Sequence, residues 1–210
     1  MADVPPTTGQ VAAQIMQAAA GIVWSLLAVG AFIALFPQIR SLFGKADQVD
    51  NFEAFGIKVS LKALQAAGAE RQVLIPLAGP QGSALQTRLA AEGSRLKGKQ
   101  ILWVDDVPSG NHHEAEALFA LGAHLVFAAS TAEADRLLNA RPHRFDLILS
   151  DWARADDHDA GPALLKALRR RGDKTPFIFY AGQERDPPAG ADGLAVRPDR
   201  LLDLILDALK

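Results

Sequence analysis

Apolar and polar positions follow three successive patterns along the chain, and each predicts a different kind of structure. Residues 18–36, AAAGIVWSLLAVGAFIALF, would be apolar all round a helix, with Ser25 the single polar side chain. At 19 residues the run matches the roughly 20 that cross a hydrocarbon core of about 30 Å. Beyond it, FEAFGIKVSL from Phe52 alternates in part and predicts a short strand, while residues 61–67 and 84–96 predict helical pieces around a Gly-Pro-Gln-Gly break. Leu85, Leu89 and Leu96 stand near heptad spacing over too short a span for a coiled coil, so this piece reads as a connector that packs on the next domain, with a dimerisation helix as the alternative, and residues 40–97 read as a linker without assigned order.

From Gly98 the pattern becomes regular. Short apolar runs QILWV, HLVFA, DLILS, PFIFY and GLAV are separated by helical stretches, which predicts five βα units. The first helix uses residues 113–121, and the second opens on Ser130 and Glu133, the spacing of a capping box. Leu164, Leu165 and Leu168 precede the basic end Arg169, Arg170 and Arg171 of the third, and the last starts near Pro198 with Leu201, Leu202, Ile205 and Leu209 on one face. Uninterrupted apolar strands between helices imply an α/β, doubly wound parallel sheet covered on both faces, with ligands at the carboxyl ends of its strands.

Charge divides the 210 residues along the same lines. There is no cysteine, 22 basic side chains stand against 24 acidic ones, and between Val4 and Ile39 there is no charged residue and no histidine. Disorder, several membrane spans and a disulfide scaffold are excluded, and no basic excess points to nucleic acid. A cleavable signal peptide needs a basic leader, which is absent before Arg40, so the apolar run reads as a retained anchor. Arg40 and Lys45 just after it put the rest in the cytoplasm by the positive-inside rule. The expected order is a short segment 1–17, a single transmembrane helix 18–37, a juxtamembrane linker 38–97 with a short strand and helices, and an α/β domain 98–210.

Candidate chemistry gathers at the predicted strand ends. The first strand finishes in Asp105 and Asp106, the third in Asp151, the fourth in Tyr180-Ala181-Gly182 and the fifth in Arg197-Pro198. Three such carboxylates suit Mg²⁺, a hard ion that takes one or two carboxylates and keeps waters, and the nearby cation would complete a site for a phosphoryl group. Trp103 reads as core, Trp152 as a partly exposed loop residue, and His112, His113 and His158 as solvated rather than metal-ligating.

ILWVDD, DLILSD, TPFIFYAG and GADGLAVRPD, in this order and spacing, resemble a response-regulator receiver domain over residues 98–210. The resemblance implies a flavodoxin-like (βα)5 sheet, with Asp105 and Asp106 as the metal-binding pair, Asp151 as phosphoacceptor and the Ala153 carbonyl as a further Mg²⁺ ligand. It also implies a histidine kinase or another signalling protein as partner. This chain departs from the family at the switch position, where Ala181 replaces Ser or Thr, and at the phosphate-contacting lysine, where Arg197 stands. Arg154-Ala155 replaces the customary Met-Pro, and Pro187-Pro188 within a short connection leaves little room for a fourth helix.

These departures favour a membrane-anchored atypical receiver, or pseudo-receiver, acting as a cytoplasmic signalling or protein-interaction module. The alternative is a phosphorylatable response regulator without an output domain, using Mg²⁺ and Asp151. No enzyme activity beyond self-phosphorylation on Asp151 is expected, since no P-loop, Gly-rich phosphate loop or Ser, His, Asp arrangement is present.

Overall fold

The computed structural model describes residues 47–76, 78–140, 145–155 and 157–210. The expected transmembrane helix at 18–37 lies outside the described residues. Among those described, no helix is long and apolar enough to cross a membrane.

Residues 51–210 form one compact unit. Its centre is a parallel sheet of five strands: β1 (Gln100–Val104), β2 (His124–Ala128), β3 (Leu147–Ser150), β4 (Phe177–Tyr180) and β5 (Gly193–Ala195). The spatial order is β2-β1-β3-β4-β5, the flavodoxin-like order of a doubly wound domain. Alternation along each strand sends Ile101, Trp103, Leu147, Leu149, Ile178 and Tyr180 to one face, and Leu102, Val104, Ile148, Phe177 and Phe179 to the other. Both faces are buried, which is why the strands read as unbroken apolar runs.

Among the described residues, two helices, α1 (Asp47–Glu70) and α2 (Gly79–Glu92), and a 3₁₀ turn (Gly93–Leu96) precede the sheet. The remaining helices are α3 (His112–Ala120), α4 (Thr131–Ala140), α5 (Ala160–Arg170) and α6 (Pro198–Ala208). The Ser130 hydroxyl accepts from Glu133 N at 3.1 Å, and Glu133 in turn accepts from Ala129 N, so the predicted cap forms at the start of α4. The chain runs from β4 to β5 without a helix, as its prolines foretell.

The strand expected from Phe52 is instead part of α1. Buried positions there are Gly56, Ser60, Leu61, Ala63, Leu64, Ala67 and Gly68, a helical period that the short alternation FEAFGIKVSL masks. Small residues on this face allow close approach: a Cβ on Gly56 would lie 2.4 Å from the Ala120 carbonyl oxygen. Leu61 and Leu64 then join Leu89, Leu96, Leu118, Leu201, Leu202 and Ile205 in one apolar cluster. The connector is thus part of the core on the α3 and α6 side of the sheet.

Leu64 is 2% exposed. Leu64→Ala is expected to lower unfolding free energy in a urea titration by about 2–5 kcal/mol, the usual cost of such a truncation in a core. A loss under about 0.5 kcal/mol is what a loosely attached linker would give, and it would remove α1 from the core.

Candidate functional site

The carboxyl edge of the sheet is set by backbone bonds that run one residue past the strands. Asp105 N donates to Ala128 O at 3.0 Å, and Asp151 N donates to Val104 O at 2.9 Å. Both aspartates therefore leave the sheet in register, beside the crossover between β1 and β3 where such folds bind ligands.

Asp105 is buried and fully engaged. Its Oδ1 accepts from Val107 N at 2.7 Å and its Oδ2 from Asn111 Nδ2 at 2.7 Å. Asn111, itself buried, accepts through Oδ1 from Arg71 Nη2 at 2.7 Å. Arg71 Nε pairs with Glu114 Oε1 at 2.9 Å, the same oxygen that accepts from the Tyr180 hydroxyl, and the Arg71 guanidinium lies 4.2 Å over the Tyr180 ring. Burial, then the charge of Glu114, pushes the Tyr180 hydroxyl well above its usual pKa, so it stays a donor. An unbroken chain of bonds thus links Asp105 to the end of α1 and to β4. Arg71, Asn111 and Glu114 were not among the residues expected at the site.

The remaining carboxylates face a tight loop. Asp106 is exposed, and its Oδ2 accepts from Ala155 N at 2.7 Å. Asp151 is half-buried, with Oδ1 accepting from Trp152 N at 2.6 Å. Arg154 and Asp157 exchange two backbone bonds, at 3.0 and 2.9 Å, and Ala155 between them takes a left-handed φ of 48°. Gly161 closes the loop from below: its N donates to Trp152 O at 2.9 Å, and a Cβ there would stand 2.5 Å from Asp151 O.

A buried cation also stands at this edge. Arg154 is 5% exposed and donates through Nη1 to Ser150 Oγ at 2.8 Å and to Asp151 O at 2.9 Å, and through Nη2 to Thr131 Oγ1 at 3.1 Å. Burial lowers the pKa of its guanidinium, opposed by the charges of Asp151, Asp105 and Asp106. The cation expected from the sequence, Arg197, is occupied elsewhere: it chelates Asp199 at 3.0 and 2.9 Å and reaches the Leu74 carbonyl at 3.3 Å. Ala181 is buried and offers only its backbone, donating from N to Ala195 O at 3.0 Å. Tyr180 lies on the opposite face, beside Trp103. Trp103 is fully buried, and Trp152 packs on Phe179 at 5.1 Å with Arg185 over its ring.

Asp105, Asp106 and Asp151 share this edge without forming a tight three-donor group. Among the described residues, three such donors lie within 4.8 Å of one another only at Glu70, His112 and His113. The chemistry of the acidic edge still fits a hard cation. Burial raises the Asp151 pKa first, and repulsion from Asp105 and Asp106 raises it further, against the Trp152 bond and Arg154. Asp106 Oδ1 and Asp151 Oδ2 take no protein hydrogen bond among the described residues. Those two oxygens would hold the ion, and it would relieve the repulsion among the three carboxylates.

No family model and no curated relative matches this chain. Similar solved structures include the receiver domain of the hybrid histidine kinase CckA, at 25% identity over 53% of this chain and 99% of that one, with a TM-score of 0.45. A chemotaxis response regulator of Vibrio cholerae is 25% identical over 53% of this chain and 99% of its own, with a TM-score of 0.44. A Thermotoga maritima response regulator in complex with Mg²⁺ and BeF is 20% identical over 52% and 98%, with a TM-score of 0.46.

The raised Asp151 pKa has a signed consequence for stability. The folded protein holds this proton more tightly than the unfolded chain, so stability falls as pH rises from the ordinary 3.8 through the raised value. Asp151→Asn keeps the acceptor for Trp152 N and removes the charge. The variant is expected to resist urea better than the native chain at neutral pH and to lose that advantage below the ordinary carboxylate range. A variant less stable at neutral pH would show that burial and repulsion of the charge do not outweigh its bond from Trp152 and its attraction to Arg154.

Proposed function

We propose that this chain is a membrane-anchored pseudo-receiver, a signalling or protein-interaction module built on a receiver-like (βα)5 sheet. The observation that carries this reading is the occupancy of the acidic edge by the protein's own groups. Asp105 has both oxygens bonded, Asp106 is tied to the loop after Asp151, and Arg154 fixes the Asp151 carbonyl from behind. A receiver that switches needs a hydroxyl and a mobile cation that respond to a phosphoryl group. Here the hydroxyl position is Ala181, and Arg197 is held by Asp199. Of the two groups that would respond to a phosphoryl group, one is absent and the other is paired, and this supports a module with a fixed surface.

The alternative is a phosphorylatable response regulator, and Asp151 Oδ2 is the observation that favours it. In that reading the carboxylate attacks the phosphorus of a phosphohistidine or small phosphodonor, forming the acyl phosphate as the bond to the donor breaks. Bound Mg²⁺ would supply charge neutralisation to the phosphoryl oxygens. A histidine kinase is then the partner. In the pseudo-receiver reading the partner is a signalling protein that recognises the fixed surface.

Incubating the full chain with Mg²⁺ and excess acetyl phosphate, then measuring its intact mass, separates the two. No phosphoryl adduct is expected. An adduct that forms on the native chain and is absent from Asp151→Asn would establish the alternative.

The membrane part of the proposal rests on the charge-free segment before Arg40. Deleting residues 11–39 is expected to move the protein from the pelleted membrane fraction to the supernatant. Retention of the truncated chain in the membrane pellet would transfer the anchoring to residues 40–97.

A further inference from the structure

Two histidines outside the acidic edge are placed as metal ligands, although neither their spacing nor the receiver resemblance accounts for them. Glu70 is the last residue of α1, and His112 and His113 open α3. Glu70 Oε1 lies 3.8 Å from His112 Nε2 and 3.5 Å from His113 Nε2. These separations exceed the 2.7–3.2 Å of a hydrogen bond. They sit close to the roughly 3.3–3.4 Å edge of a tetrahedron whose centre is about 2.0–2.1 Å from each donor, the geometry of Zn²⁺ with imidazole and carboxylate. One donor atom from each of the three residues falls within 4.8 Å of the others.

The outer contacts agree with that assignment. His112 Nδ1 stands 3.0 Å from the Ser109 carbonyl, a contact in which Nδ1 donates and Nε2 is left as the ligating nitrogen. Ligating histidines are oriented in this way, by donating their second nitrogen to a carbonyl or carboxylate. His113 Nδ1 has no hydrogen-bond partner, and its nearest acid is Glu116 Oε2 at 3.8 Å, one small adjustment from the same arrangement. The two rings, 3.9 Å apart, face one acid rather than diverging into solvent.

We propose that Glu70, His112 and His113 form a Zn²⁺ site, with His112 Nε2, His113 Nε2 and Glu70 Oε1 as ligands and water in the fourth position. Its ligands come from the end of α1 and the start of α3, so the ion clamps the helical extension to the sheet domain. Mixed imidazole and carboxylate donors select Zn²⁺ over Mg²⁺, which prefers an all-oxygen octahedron.

The test is a competition titration of the full chain, metal-stripped and held in detergent micelles, with Zn²⁺ against a chromophoric chelator. One Zn²⁺ per chain is expected, undisturbed by millimolar Mg²⁺. Glu70→Gln and His113→Ala should each weaken it at least tenfold, roughly the loss that even a supporting residue causes at such sites. Asp151→Asn should leave it intact. Glu70 is half exposed and His113 about a quarter exposed, so the variants are expected to fold, and circular dichroism checks that. Co²⁺ added to the native chain should give the visible bands of tetrahedral coordination. No stoichiometric binding, equal binding in both ligand variants, or loss in Asp151→Asn would each overturn the proposal.

Discussion

A carboxylate that is 2% exposed has to be paired, and at Glu114 that requirement organises much of the molecule. Its partner, Arg71, is supplied by the residue immediately after α1, and Tyr180 of β4 donates to the same oxygen. Leaving one member of such a pair uncompensated typically costs about 3–5 kcal/mol. Docking of the helical extension is therefore a condition of burying Glu114. Apolar contacts of Leu61 and Leu64 add to it without fixing register, whereas the forked guanidinium does, by holding Glu114 and Asn111 together.

Asn111 carries that constraint into the acidic edge. It accepts from Arg71 and donates to Asp105, so the carboxylate closest to the sheet is oriented by a residue of the extension two bonds away. On the other side of the edge Arg154 plays a comparable part, buried among Ser150, Thr131 and the Asp151 carbonyl. Two guanidiniums thus hold the edge, and neither is the Arg197 that the resemblance to receivers pointed to. With Arg197 chelated by Asp199, the cation at the acidic edge is the buried Arg154.

The sheet was legible because a strand covered on both faces leaves an unbroken apolar run, and five such runs with helices between them admit few topologies. Asp105, Asp106, Asp151 and Ala181 were legible because each comes directly after such a run. The long helix α1 was not: within FEAFGIKVSL the alternation outweighs a helical period carried by Gly56, Ser60 and Ala63, whose small side chains give little signal. Pairings across the chain were hidden for a different reason. Arg71 and Glu114 are separated by 43 residues, and only the docking of α1 brings them together. Arg154 offered a clue, a cation replacing an apolar residue three positions past Asp151, but its direction depends on a turn that folds it back under the loop. For Arg197 the competing acid was in view at Asp199, two residues on, and proximity in sequence favoured it over carboxylates on another strand.

The end of α1 addresses the β1–α3 connection twice. Glu70 faces His112 and His113, and Arg71 holds Asn111 and Glu114. All four of those partners lie within the turn that begins at Asp105 and continues into α3. A displacement of α1 must therefore either break the Arg71 bonds, which exposes the cost of an unpaired Glu114, or carry Asn111 with it and withdraw a donor from Asp105. Coupling of this kind acts in both directions, because a binding event that reorients Asp105 biases α1 by the same free energy. The chain of bonds through Asn111 and Arg71 is what joins Asp105 to the end of α1.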